Sequence, residues 1–204
     1  MDPKRYAPAT QRNRQVILEI LQQNLPSTGN VLEIASGTGE HAVFFAANLP
    51  HLHCYPSDRD PDLRASIKAW SEEYPSPNLH PPLSIDVTIQ PWQAETEQIA
   101  IKAIVNINMI HISPWSACLS LMAGAERILP PGGVLYLYGP YQKAGKHTAP
   151  SNEAFDRSLR DRNAEWGIRN LEDVIKAAAD NQLTFQEAIA MPANNFSIIF
   201  TKTS

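Results

Sequence analysis

The sequence predicts an α/β fold: an open, mostly parallel sheet with helices on both faces, closed by a C-terminal antiparallel hairpin. Three observations predict it. Short apolar runs alternate with amphipathic helical stretches five times along the chain. The chain then finishes in two β-like runs around a tight turn, TFQEAIAMP and NNFSIIFTK. A Gly-rich turn, SGTG, follows the first apolar run, where the ligand crevice of such sheets lies. Right-handed crossovers between the parallel strands send the helices to both faces.

The elements follow in order. QVILEILQQNL at 15–25 sets Val16, Ile17, Ile20, Leu21 and Leu25 at helical spacing, and Pro26 and Gly29 stop it. NVLEIA at 30–35 is a short apolar strand. The turn at 36–39 leads into the helix HAVFFAANL, which Pro50 ends. LHCYPS at 52–57 is a second strand. The helix in DRDPDLRASIKAWSEEY has Asp60 as a cap and Pro61 in its first turn. A third strand lies near Leu83–Val87, and TIQPWQAETEQ is a polar linker with room for a short helical turn. AIKAIVNINMI at 100–110 is a central strand. SPWSACLSLMAGAERIL at 113–129 is a helix framed by Pro114 and Pro130, and GGVLYLYGPY at 132–141 is the fifth strand. Residues 142–170 are polar and are expected as a lid-like insertion. LEDVIKAAADNQL is the last helix. We expect a single domain over 1–204, with an N-terminal arm and helix at 1–28.

Bulk properties narrow the function. The chain has 204 residues, a net charge of -4 and only 17 Lys plus Arg. No basic stripe stands out, so nucleic acid is not the expected partner. Cys54 and Cys118 lack metal-ligand spacing and read as two buried thiols of a reducing compartment. No apolar leader opens the sequence and no run suits a membrane span, so a cytoplasmic protein without membrane contact is expected. The six histidines show neither HxxxH nor HExxH spacing, so no metal is expected.

The turn VLEIASGTGEH carries the chemistry. A P-loop needs Lys and Ser/Thr after its second Gly, and both are missing. A dinucleotide GxGxxG tolerates Ala42 at its third position. Glu33 and Glu40, however, would repel a pyrophosphate and would attract an ammonium or sulfonium.

The stretch resembles motif I of the class I S-adenosylmethionine-dependent methyltransferases. It reads here as Glu33, Ala35, Gly37 and Gly39, with Ala35 where the pattern usually has Gly. The likeness runs over nearly the whole chain. It resembles in particular an uncharacterised branch, held as a domain of unknown function in bacteria and as a methyltransferase-like protein in animals. The marks are YAPATQRN at 6–13, LEIASGTGEH at 32–41, YPSD at 55–58, YGPY at 138–141, SNEAFDRSLR at 151–160, WGIR at 166–169 and MPANN at 191–195.

The resemblance implies a Rossmann-like fold with a mostly parallel seven-stranded sheet, and S-adenosyl-L-methionine as cofactor. Asp58 then grips both ribose hydroxyls, with Asp60 as its local competitor. Asp86 faces the adenine amino group, and Val87 offers a backbone N–H. Asn108 or the Asn106 carbonyl lies under the methionine part, the other possibility being a structural amide. Arg12 meets the methionine carboxylate or a substrate carboxylate, unless it is a solvated charge. Tyr6 and Asn13 come to the substrate side on the N-terminal arm. His111, Tyr141 and His147 are the catalytic candidates. Asn152, Trp166, Arg169 and Asn195 are candidates for the substrate, with turn and surface roles as the plain alternatives for Asn195 and Arg169.

The implied reaction is methyl transfer to a small-molecule acceptor by a monomer or weak homodimer. The rivals are a methyltransferase of protein or nucleic acid, a non-catalytic cofactor-binding scaffold, and a nicotinamide oxidoreductase.

Overall fold

The computed structural model describes residues 2–203. Helix α1 (Pro8–Asn24) begins earlier than its apolar spacing suggested, because Pro8 occupies the first turn. Strand β1 (Gly29–Ile34), helix α2 (Glu40–Asn48), strand β2 (Leu52–Asp58) and helix α3 (Pro61–Glu73) follow. Strand β3 is only Leu83–Ser84, shorter than the expected 83–87. It pairs with the end of β2 alone, Ser57 with Leu83 and Asp58 with Ser84. The polar linker holds the short helix α4 (Gln93–Thr96), whose first turn is closed by the Glu95 carboxylate on the Trp92 N–H.

Strand β4 (Ile101–Ile107) stops before the end of its apolar run, since Asn108 turns to φ 60°. Helix α5 (Trp115–Ile128) and strand β5 (Val134–Gly139) follow. Residues 142–170 are more built than a lid-like loop. Strands β6 (Tyr141–Lys143), β7 (Lys146–His147) and β8 (Arg169–Asn170) make a small sheet of their own around helix α6 (Pro150–Arg162). Helix α7 (Leu171–Ala179) leads to the closing hairpin, β9 (Leu183–Met191) and β10 (Asn195–Lys202).

The main sheet has seven strands in the order β3-β2-β1-β4-β5-β10-β9. Pairs among β1 to β5 are parallel, and β10 is antiparallel to both β5 and β9. The expected α/β class, strand count and closing hairpin are what the structure shows.

Two cores cover the two faces, and period-two alternation divides β1 between them. Val31 packs with Ile17, Leu18 and Leu21 of α1 and Phe45 of α2. Leu32 and Ile34 join the other core with Trp92, Leu121 of α5 and Val174 of α7. Glu33 therefore falls on the α1–α2 side.

Candidate functional site

Strand order reverses between β1 and β4, and the crevice expected at such a switch point is present. A cleft of about 620 Å³ opens at their carboxyl ends. Its walls come from the turn after β1, the ends of β2 and β4, the first turn of α1 and the 163–166 loop.

The turn after β1 is held to β2. Ser36 N–H donates to Ser57 O at 2.7 Å, and Ser57 Oγ donates to Glu33 O at 2.7 Å. Ala35, Gly37 and Gly39 all have positive φ, at 57°, 58° and 93°. A side chain at Gly37 would meet nothing within 4 Å, so its backbone is open to an approaching ligand. Gly39 has another task. A Cβ there would lie 2.7 Å from Ile67 Cα, so this glycine lets α2 approach α3.

Glu33 is 8% exposed, and its Oε2 has no hydrogen-bond partner. Desolvation pushes its carboxyl up to about 7. The Asp58 charge adds to this, while a hydrogen bond with Ser36 opposes it. A buried polar atom without a partner calls for an explanation, and a cationic ligand group would supply one.

Asp58 ends β2 in the same cleft. Its Oδ2 accepts Gly37 N–H at 3.0 Å and its Oδ1 accepts Asp60 N–H at 2.9 Å. Burial raises its carboxyl above the usual range in spite of these bonds. Asp60, the competitor, is the α3 cap, accepting Asp62 N–H at 2.8 Å. Asp86 accepts both the N–H and the hydroxyl of Thr88 at 2.9 and 2.7 Å, and faces Arg59 at 3.7 Å. Desolvation pushes it up, but those bonds and Arg59 win and hold it low. Val87, Asn108 and Trp166 complete the set of expected site residues that line the cleft.

The N-terminal arm is strapped down beside this site. Ala7 N–H donates to the Glu40 carboxylate at 2.6 Å, and Arg5 N–H donates to Ser66 Oγ at 2.8 Å. Trp70 Nε1 donates to Arg5 O at 3.0 Å. Lys4 pairs with Glu73. Glu40 thus accepts the Ala7 N–H at the start of α1, a favourable place for a carboxylate, together with the Thr38 hydroxyl at 3.0 Å.

A family-model comparison aligns residues 4–202 with a family described as protein of unknown function (DUF938). The chain belongs to the DUF938 family. Several solved structures, methyltransferases among them, share its fold. Human N-acetylserotonin methyltransferase in complex with SAM superposes with a TM-score of 0.79 at 12% identity, covering 96% of this chain and 53% of that one. An O-methyltransferase family 2 protein from Planctomyces limnophilus, in complex with apigenin, gives 0.74 at 18% identity, covering 93% and 62%. The YcgJ protein from Bacillus subtilis gives 0.72 at 14% identity, covering 95% and 99%. This DUF938 chain therefore spans little more than half the length of the first two proteins.

The remaining expected residues lie elsewhere, each for a physical reason. Tyr141, expected as catalytic, is 2% exposed inside the α5–α7 core, and burial drives its hydroxyl far up. His111, also expected as catalytic, is buried and does not line the cleft. It abuts Gly139 and meets Phe155 edge-on at 5.7 Å, and burial pushes it down to about 4. His147, the third, sits in the small sheet, 3.6 Å from Asp156 and 3.3 Å from Gln142.

Asn106 is a structural amide, donating to Ile34 O at 2.9 Å and tying β4 to β1. Asn152 donates to Asn194 O at 3.0 Å, and Asn195 donates to Pro192 O at 3.3 Å, so both serve the hairpin. Arg169 donates to the Ser113 and Glu165 carbonyls, each at 2.7 Å. Arg12 is exposed on α1, and Tyr6 is 63% exposed, edge-on to Trp70. Asn13 is buried and does not line the cleft, yet it holds a residue that does.

That residue is His41, absent from the sequence-derived candidates. It is 8% exposed, and its Nε2 lies 2.9 Å from Asn13 Oδ1. Burial, with the Arg14 charge behind it, pushes its imidazole down to about 4. Thr10, Ile112, Ser113 and Asn163 also line the cleft unexpectedly. The one available signal was YAPATQRN, which forms the start of α1 and does deliver Ala7, Ala9 and Thr10.

Among the described residues, no three His, Cys, Asp or Glu side chains gather as a metal set, and no helix is long and apolar enough to cross a membrane.

Proposed function

We propose that this protein is an S-adenosylmethionine-dependent methyltransferase acting on a small molecule. One observation carries the reading: the buried, unpartnered Glu33 oxygen beside the open Gly37 backbone. Such an atom suits a cation and repels a phosphate. The donor set around it fits the same group. Glu33 would hold the ammonium, Asp58 the ribose hydroxyls, and Asp86 with the Val87 backbone the adenine edge. Asn108 and Met109 would lie under the methionine chain.

When bound, S-adenosylmethionine supplies an electrophilic methyl group on sulfonium. The chain's own residues then have little covalent chemistry to perform. They hold the acceptor in line and exclude water, and that positioning is the main source of rate. Neutral His41 would accept a hydrogen bond from the acceptor atom, where that atom carries a hydrogen. The N-terminal arm and the 142–170 segment would close over the acceptor, within a single domain.

The methyl acceptors and activities of the structural relatives belong to those proteins. Their shared fold supports the reading by analogy. Its further parts are a monomeric or weakly dimeric state, kinship with methyltransferase-like proteins of animals, and a cytoplasmic setting, which suits the two free thiols.

Calorimetry with S-adenosylmethionine, S-adenosylhomocysteine and NAD tests the core of it. Binding of the first two and not the third is expected. Binding of NAD alone, or of none, refutes it.

A further inference from the structure

We propose that the acceptor is an uncharged, largely apolar molecule bearing one hydrogen-bonding heteroatom, held between Trp166, Ile112 and His41. The inference rests on the methyltransferase reading and names the substrate class of that cleft.

Charge decides it. The carboxylates of the cleft, Glu33, Asp58 and Asp86, lie around the turn after β1 and the ends of β2 and β3. Arg59 is the one arginine or lysine that lines the cleft among the described residues. It sits at the mouth on the same side, 3.7 Å from Asp86. The opposite half is bounded by Met109, Ile112, Pro114 and Trp166, with Thr10, Ser113 and Asn163 as uncharged polar groups.

Three arginines of the 160–169 stretch are committed. Arg169 gives its guanidinium to two backbone carbonyls. Arg160 bonds Asp156 at 3.0 Å. Arg162 lies over the Trp166 ring at 5.6 Å and donates to Ser158 O. An anionic acceptor would therefore lose water and gain no cationic partner, a costly exchange.

Beside Thr10, Ser113 and Asn163, the polar group with a fixed ring plane is His41. Asn13 Oδ1 is an acceptor, so His41 Nε2 carries the hydrogen in this arrangement. In the neutral ring Nδ1 is then a hydrogen-bond acceptor. Stacking on Phe45 at 5.2 Å and 8° fixes the ring plane. Such a group suits an O–H, N–H or S–H donor.

The test uses 2-naphthol and 2-naphthoate, one ring system with and without negative charge. Each is titrated by calorimetry into the full chain, with and without S-adenosylhomocysteine. We expect 2-naphthol to bind about tenfold tighter than 2-naphthoate or better, and Trp166→Ala to weaken it several-fold. Ile112→Arg, at an exposed position that tolerates the change, should reverse the order by supplying the missing cation. Equal or tighter binding of 2-naphthoate to the native chain overturns the inference. So does an absence of 2-naphthol binding at millimolar concentration, or an unchanged order in Ile112→Arg. Failure of S-adenosylhomocysteine to bind instead defeats the methyltransferase reading, while the titrations without it still judge the acceptor class.

Discussion

Replacing Glu33 by Gln removes the charge on which the cofactor reading rests. The native carboxyl is buried and pushed up to about 7 by desolvation, with Oε2 unpartnered. Below that pH the empty site holds a neutral acid. A bound ammonium needs the carboxylate, so binding must expel a proton. Ionising a group one pH unit below its pKa costs about 1.4 kcal/mol. Affinity for S-adenosylmethionine should then rise about 15-fold between pH 5.5 and pH 7, with about one proton released at the lower pH and about half a proton at the upper. The window ends at pH 7 because a free α-ammonium begins to titrate at about 7.7. His41 and His111 sit at about 4 and stay neutral throughout.

Stability runs the opposite way. The folded pKa lies above the unfolded one. The stability this group contributes is therefore complete below 4.5 and gone above about 7. That gap corresponds to about 3 kcal/mol of cost for the ionised form. Glu33→Gln should thus make the ligand-free protein more stable at pH 8, while weakening cofactor binding at pH 7 by about 10- to 100-fold. Calorimetry in two buffers of different ionisation enthalpy measures the proton count, and thermal melts measure the stability. Undiminished proton release in the variant, or a flat pH dependence in the native chain, would refute the reasoning.

Other variants probe neighbouring parts. Asp58→Asn keeps the shape but loses the charge, and should weaken cofactor binding by about 10-fold or more with a modest change in melting temperature; an unchanged affinity would remove Asp58 from the ribose role. Gly39→Ala drives a Cβ toward Ile67 Cα at positive φ and should cost about 2–4 kcal/mol, read as a lower denaturation midpoint. Ala35→Gly relieves a positive φ of 57° and should stabilise by about 0.5–1 kcal/mol. Asp156→Ala strips the partner from Ile168 N–H at 2.7 Å and from Arg160, and should cost about 2–3 kcal/mol. Hydrogen exchange at Ile168 should speed up before the main sheet does; uniform exchange would show that the small sheet is not a separate weak unit.

Local signals settled much of this molecule. Alternating runs and proline boundaries sufficed for the sheet, because period and turn chemistry are written in neighbouring residues. The Glu33–Gly37 turn and Asp58 were legible for the same reason: each ends a strand next to a turn, so its place in the crevice follows from strand order. Ala35 even shows why the family pattern favours Gly there, through its positive φ.

Tertiary structure alone decided which polar side chains reach the cleft. Tyr141, His111 and His147 stand on the right loops but turn into the core, behind Gly139 and into the small sheet. Arg169 is drawn to carbonyls supplied by distant residues. His41 reaches the cleft because α1 brings Asn13 to it from 28 positions away. Such choices depend on the phase of a helix and on partners remote in sequence. The sequence by itself determined the fold and the acidic end of the cleft; packing between distant segments determined the neutral end.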